Sequence, residues 1–529
     1  MTGKTQETTS RSAFLVAAGI LVSRLTGLVR LRIFSHYFGL ESDAADAFNA
    51  AFRIPNFLQN LFGEGVLSAS FIPVYANLLA LRDEKESGRV AGAVLAILAL
   101  TTSVLVLAGI LTTPLLIDAI APGFHGAERE LTVRIVRVLF PGAGLLVLSA
   151  WCLGMLNSHR KFFLSYTAPV LWNAAMIATL AGFGGRMSQE RLALTLAWGS
   201  VAGSAAQFGI QLPVVLRLAR RLRVRLDTAA ANVRTVIKNF VPVFISRGVV
   251  QISAYVDALL ASLLPTGAVT GLTNAQLLYT LPVSLFGMSV SAAELPAMSS
   301  ALGSGEEVAG YLRRRLDSGL RRIAFFIVPT SVGFLALGDV IAGALLQTGR
   351  FTHADSLYVW GILAGSTVGL LAMTLGRLYS SAYYALRDTR TPLRYAIIRV
   401  ALTTALGYLM AIPLPRAIGL DARWGVAGLT SSAGIAGWVE FTLLRRTLNR
   451  RIGGTGLAPG YTARLWIAAL AAAAFGWLVR TAIGRRNPIL AAMLILPPYG
   501  AVYFGLAAAL RLEEARAALR RLMHARTQG

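Results

Sequence analysis

Apolar blocks long enough to cross a bilayer recur along the whole chain, and this recurrence limits the fold more than any other feature. Val90 to Ile117 contains no Lys, Arg or Glu, and neither does Leu465 to Val479. At about 1.5 Å of rise per residue, roughly 20 helical residues cross about 30 Å of hydrocarbon. One such block could be a buried helix of a water-soluble protein; a dozen in one chain could not. Composition agrees: 14% of residues are charged, against about a quarter in soluble domains, and mean hydropathy is +0.62. The chain reads as an all-α polytopic membrane protein with about fourteen transmembrane helices. They run from spans near 12–36 and 43–80 to spans near 464–480 and 488–510. Lys4 and Arg11 precede the first span without a small-residue cleavage site, so that span is expected to be retained.

A net charge of +25 over 529 residues raises the question of nucleic acid. The charge follows topology instead. Basic clusters occupy alternate loops: Arg82/Lys85/Arg89, Arg160/Lys161, Arg217 to Lys238, Arg313 to Arg322, Arg387/Arg390/Arg394 and Arg445 to Arg464. With the termini added, one side carries roughly 32 Lys/Arg and the other roughly 9, which by the positive-inside rule puts both termini in the cytoplasm. No nucleic-acid partner is implied, and anionic membrane lipids are the expected surface partner. Cys152 is the single cysteine and lies in an apolar block, so no disulfide framework or cysteine metal site is expected. The five histidines are scattered without ligand spacing, and no metal is expected.

The chain also repeats. Ser23-Arg24 recurs as Ser246-Arg247, Leu61-Phe62-Gly63 as Leu285-Phe286-Gly287, and Ala168-Pro169 as Thr391-Pro392, at offsets of 223 or 224 residues. A six-helix unit crosses the membrane an even number of times, so two copies share one orientation. The expectation is two parallel-repeat lobes, residues 1–222 and 223–450, about an axis along the membrane normal with a cavity between them. Residues 451–529 add two further helices and a basic cytoplasmic tail.

Candidate chemistry sits in the first two helices. Arg24 and Arg30 are six residues apart, so on a straight helix they diverge by roughly 120°. A bend at Gly27 would let them converge. The second span carries Asp46, Asn49, Arg53, Asn56, Asn60 and Glu64 in steps of three and four, which puts them on one face, and Pro55 should kink it. An arginine at bilayer depth costs about 2.5–3.5 kcal/mol on the gentlest scale. Such groups must face a wet cavity, pair with acids such as Asp46, or snorkel to the interface. Bases outnumber acids here, which favours a cavity of net positive charge, suited to a phosphate-bearing substrate because guanidinium forks pair with phosphate oxygens. Asp257, Glu294 and Glu440 read as structural partners rather than a cation site. Gly453-Gly454-Thr455-Gly456 reads as a flexible connector. No Walker loop, dinucleotide fingerprint or paired metal-ligand motif is present, so no enzyme activity and no cofactor are expected.

Several runs carry a resemblance. Ser23-Arg24-Leu-Thr-Gly27-Leu-Val-Arg30 is followed by Phe38-Gly39, Asp46-Ala-Phe48, Arg53-Ile-Pro55-Asn56, Phe62-Gly63-Glu64-Gly65 and Phe71-Ile-Pro73. Further along stand Ala168-Pro169-Val-Leu-Trp172-Asn173, Leu285-Phe286-Gly287, Leu295-Pro296, Gly349-Arg350-Phe351-Thr352 and Asp388-Thr-Arg390-Thr391-Pro392. Together these resemble the MurJ (MviN) family of the multidrug/oligosaccharidyl-lipid/polysaccharide exporter superfamily, over nearly the whole chain. The resemblance implies two six-helix lobes plus two helices that form a groove for a lipid tail. It also implies movement of lipid II, the undecaprenyl-pyrophosphate-linked peptidoglycan precursor, from the cytoplasmic to the outer leaflet of the bacterial inner membrane.

On that resemblance Arg24, Arg30 and Arg53 are substrate-binding and Asp46 and Glu64 serve gating or charge-pairing; Gly27 and Pro55 remain the expected helix bends on the geometric grounds above. Two departures stand out: Gln59 and Leu277 occupy places where the family often has arginine. Arg247, in the repeat position of Arg24, is expected to supply the missing charge from the second lobe. Alternating access by a monomer would follow, driven by the membrane potential or by an ion such as Na+ or H+. The departures also leave open an exporter of another polyprenyl-linked oligosaccharide, or a lipid-binding paralogue that does not transport.

Overall fold

The computed structural model of the chain describes residues 2–516 apart from 63, 220, 301–304 and 485; within its helices the side chains at 2–18, 20, 55, 64, 65 and 245–254 fall outside that description. The described chain is 86% helical with no strand. In order, the helices of the N-terminal half are α1 (Thr2–Phe38), α2 (Asp43–Phe62), α3 (Glu64–Ser70), α4 (Ile72–Ala80), α5 (Glu84–Ile120), α6 (Gly126–Ser158), α7 (Phe162–Phe183), α8 (Gln189–Leu218) and α9 (Ala231–Ser262). Then come α10 (Ala268–Pro282), a π-helical turn (Val283–Met288), α11 (Ser289–Ser299), α12 (Gly305–Leu346), α13 (His353–Ala385), α14 (Arg390–Ala411), α15 (Pro413–Ala417), α16 (Gly425–Ile452), α17 (Pro459–Ile483) and α18 (Pro488–Ala509).

Counting α2 to α4 as one crossing and α10 to α11 as another, these helices match the expected fourteen spans. Ten helices among the described residues are long and apolar enough to cross a bilayer. The span expected at 43–80 is three helices rather than one, so the polar stripe belongs to α2 up to Asn60, and α3 opens at Glu64.

Contacts divide the chain into two compact units. One is Met1–Val269 with Thr348–Phe351; the other is Thr270–Gln347 with Thr352–Gly529. The first takes in α9, which packs on α2, α3 and α5. Its interior helix is α6, whose Trp151, Cys152, Met155 and Leu156 are wholly buried. On α5 the opposite situation holds. Leu100, Val104, Leu107, Leu111 and Leu115 recur at helical spacing and are each more than half exposed. Leaving five aliphatic side chains in water would forfeit on the order of 10 kcal/mol, so this stripe is a lipid-facing surface.

In the second unit α13 lies between α12 and α16. The α13–α16 seam is made by backbone: a Cβ on Gly369 would collide with the Cα of Gly434, and one on Gly365 would meet the Ala427 carbonyl. Small residues four apart allow this approach in lipid, where no hydrophobic effect drives helices together. Helix α12 carries Pro329, whose missing N–H orphans the carbonyl four residues earlier. That carbonyl, on Phe325, accepts the Tyr503 hydroxyl at 2.6 Å, and Tyr499 donates to the Pro329 carbonyl. Both tyrosines lie on α18, so the break in α12 is where the C-terminal hairpin docks. Leu337 is non-helical (φ −130°), and the Trp360 indole covers the freed carbonyls of Phe334 and Leu335 at 3.0 and 3.1 Å.

The glycine segment at 453–456 is no loose connector. Thr455 N–H donates to Asn449, its carbonyl accepts from Arg445, and Gly456 N–H donates to Asp317 at 2.9 Å. Positive φ at Gly453 and Gly456 permits the path.

Candidate functional site

Helix α1 runs unbroken through Gly27, where an added Cβ would meet nothing within 4 Å. Arg24 and Arg30 therefore stand in different surroundings. Arg24 is exposed and has no ion pair among the described residues. Arg30 is partly buried in an aromatic seat. Its guanidinium carbon lies 4.8 Å from the centre of the Trp172 ring and 5.7 Å from that of Phe52, and Nη1 donates to the Met176 sulfur at 3.4 Å. Phe52 and Trp172 are themselves stacked, with centroids 5.5 Å apart. A desolvated cation over an indole face gains about 2 kcal/mol. That offsets much of the cost of the position while leaving the charge uncancelled. No carboxylate pairs with Arg30 among the described residues.

The acids at the start of α2 are engaged with a backbone turn. Asp46, 2% exposed, accepts the Gly267 N–H at 2.7 Å, and Asp43 accepts the Thr266 hydroxyl at 2.9 Å. Gly267 has φ +93°, a conformation that favours glycine. Two carboxylates in the first turn of α2 also complement its positive end. About two turns on, the backbone carbonyl of Arg53 accepts the Tyr255 hydroxyl at 2.6 Å, and the carboxylates whose charges act on the Arg53 guanidinium are Asp257 and Asp46. The structure thus joins Asp46, Arg53 and Asp257 in one charged neighbourhood beside α9. The backbone of α9 is continuous through Arg247, whose side chain lies outside the described residues, as do the side chains of Glu64 and Pro55.

The second unit has its own polar interior. Arg399 on α14 pairs with Glu440 on α16 at 2.8 Å, beside a cavity of about 350 Å³ that Arg377, Ser380 and Ser381 also line. Buried Glu294 takes Arg315 at 2.9 Å and Arg322 at 3.7 Å. Glu294 and Glu440 are structural partners, as their isolation in sequence suggests. Sequence reading missed Arg377, the one arginine of α13, and Arg399, which shares α14 with Arg390 and Arg394; their signal is a charge within a span facing the lone acid of α16. It also missed the aromatic seat of Arg30, although Trp172 stands within one of the motifs that carried the resemblance.

Ten helices long and apolar enough to cross a bilayer, with an arginine seated on aromatic faces and unpaired with any carboxylate among the described residues, define a multi-pass membrane protein. Solved structures agree on the fold. A lipid II flippase MurJ in an inward-closed conformation superposes with TM-score 0.76 at 23% identity, covering 94% of this chain and 98% of that one. An inward-facing multidrug resistance MATE family transporter of the MOP superfamily superposes with TM-score 0.65 at 17% identity, covering 83% and 98%. The family model described as lipid II flippase MurJ matches residues 34–507. The lipid II flippase MurJ of Burkholderia cenocepacia is 30% identical over 514 residues, 94% of this chain and 96% of its own. The probable lipid II flippase MurJ of Rhizobium meliloti is 31% identical over 440 residues, 82% of this chain and 79% of its own. The chain belongs to the lipid II flippase MurJ family.

Proposed function

We propose that this chain moves lipid II across the bacterial inner membrane by alternating access, as a transporter and not an enzyme. The observation that carries the reading is family membership over nearly the whole chain, joined to a guanidinium at bilayer depth that aromatic faces hold without cancelling its charge. A pyrophosphate brings at least two negative charges and oxygen acceptors that guanidinium forks match. Arg24, Arg30 and Arg53 are the first-lobe groups that would take it, with Arg247 adding charge from the repeat position. Asp46 and Asp257 act on Arg53, which suits a site that must tolerate its own charge when empty.

The basic loops support cytoplasmic termini, and the chain would act as a monomer among anionic lipids. An outside-positive potential favours inward return of an empty cationic site, at about 2.3 kcal/mol per charge per 100 mV; coupling to Na+ or H+ would add to this. Gln59 and Leu277, where the resemblance led to an expectation of arginine, favour one second reading, an exporter of a different polyprenyl-linked oligosaccharide.

Complementation of a flippase-depleted bacterium separates the two. The wild-type chain should restore growth, and Arg24→Ala and Arg247→Ala should not. A correctly inserted wild-type chain that fails to complement excludes lipid II as substrate. Arg247→Ala that complements fully removes Arg247 from the site.

A further inference from the structure

At one end of the second unit a cavity of about 580 Å³ opens between α12, the start of α13 and the α17–α18 turn. Its polar wall is cationic. Arg480 and Arg486 line it with His353, and Asp339 is the one acid of the wall. Asp339 is 5% exposed and grips Arg480 through both oxygens, at 2.6 and 3.1 Å. A fork-to-fork pair of this kind fixes the guanidinium plane. The Arg480 side chain nonetheless stays 37% exposed, so part of its fork remains available to the cavity. Arg486 has no ion pair among the described residues. The wall therefore carries one more fixed positive charge than negative, and His353 adds a ring donor.

Two further observations concern depth. Trp477, one turn before Arg480, is 56% exposed, and exposed tryptophan near a span's end marks the headgroup level. Leu470 and Leu478 on α17 and Met493 on α18 are also more than half exposed. Ala491 and Ile495 continue this apolar surface into the cavity wall. A cationic recess at headgroup depth therefore opens onto a surface that acyl chains cover.

We propose that this cavity binds the phosphate of an anionic glycerophospholipid, phosphatidylglycerol being the simplest. Arg486 and the free edge of Arg480 take the phosphate oxygens, and the acyl chains lie on α17 and α18. Asp339 is a positioning residue that holds Arg480 and does not touch the lipid. The volume accommodates a phosphate with its glycerol. None of its lining residues belongs to α1 or α2.

Native mass spectrometry of the full chain in dodecyl maltoside tests this, with short-chain phosphatidylglycerol and phosphatidylcholine as probes. Phosphatidylglycerol should bind one site about tenfold more tightly than phosphatidylcholine, a difference of about 1.4 kcal/mol. Arg486→Gln should lower that preference about fivefold, and Arg480→Gln/Arg486→Gln should abolish it, leaving phosphatidylcholine adducts unchanged. Arg486 makes no ion pair among the described residues, so its variant should keep the wild-type Tm and decides the question even where loss of Arg480 impairs folding. Unaltered phosphatidylglycerol preference in Arg486→Gln and in the double variant overturns the proposal. Displacement of the lipid by equimolar inorganic phosphate also overturns it, because the recess would then be a site for free phosphate.

Discussion

The Tyr503 hydroxyl occupies the carbonyl of Phe325 at 2.6 Å, the hydrogen-bond acceptor that Pro329 leaves without a partner in its own helix. A defect in α12 thereby becomes the fastening point of α18. Tyr503→Phe leaves that buried carbonyl unsatisfied and should cost about 1–3 kcal/mol. Pro329→Ala restores an N–H to the helix and should shrink the cost of Tyr503→Phe when the two are combined. A double-mutant cycle on denaturation of the purified protein checks this; strict additivity would show that the two features are independent.

The aromatic seat makes Trp172 a positioning residue for Arg30. Trp172→Ala should reduce complementation sharply, while Trp172→Phe should retain part of it because a phenyl face still attracts the cation. The loss of about 2 kcal/mol of cation–π attraction corresponds to roughly thirtyfold in occupancy of the seated rotamer. Growth of a flippase-depleted strain at graded expression reads the difference. Equal growth of the alanine variant and wild type would show that Arg30 works without its seat.

The glycines of α13 differ in what surrounds them. Gly369 abuts the Gly434 backbone, whereas a Cβ on Gly376 would meet nothing within 4 Å. Gly369→Ala should therefore destabilise the protein by several kcal/mol, because the obstacle is backbone and cannot rotate away. Gly376→Ala should be neutral or stabilising by up to about 1 kcal/mol from helix propensity. Thermal unfolding in detergent, followed by size exclusion, orders the two variants; the reverse order would refute the seam.

Asp388, between α13 and α14, accepts the backbone N–H groups of Arg390 and Thr391, the Thr391 hydroxyl and the Arg451 guanidinium. Hydrogen bonds from the Thr391 backbone and side chain, with Arg451 adding its own, hold its carboxyl down at about 2. The folded pKa is depressed, so its stabilisation is full above the ordinary aspartate value of 3.8 and is lost as pH falls through about 2. Asp388→Asn should cost about 1 kcal/mol at neutral pH and flatten the acid limb of the stability curve. Tm measured from pH 7 to pH 3 compares the two; parallel curves would remove Asp388 from the acid response.

Hydropathy alone located the helices, because the demand that a segment bury no charge across the bilayer is local and one-dimensional. It placed α5, α13 and α18 within a few residues. What needed the structure was pairing between helices. Nothing along the chain links Arg399 to Glu440 or Trp172 to Arg30, since such partners are chosen by packing between distant segments. The repeat assigns α9 to the second copy, whereas contacts place it in the first compact unit; duplication records descent, and contacts record where apolar faces found cover. The glycine run at 453–456 misled for a similar reason. Its flexibility in isolation is cancelled by hydrogen bonds to Asn449 and Asp317 and from Arg445 that composition does not announce.

The lipid-facing stripe on α5 has a mechanical consequence. Its uncharged stretch from Val90 to Ile117 measures about 42 Å along the helix axis, against about 30 Å of hydrocarbon. The surplus must be absorbed by leaning over or by reaching into the headgroup layers. Membrane thickness thereby becomes a load on this helix: a thicker bilayer lets α5 stand upright and a thinner one lays it down, so acyl-chain length alone alters the posture of the protein.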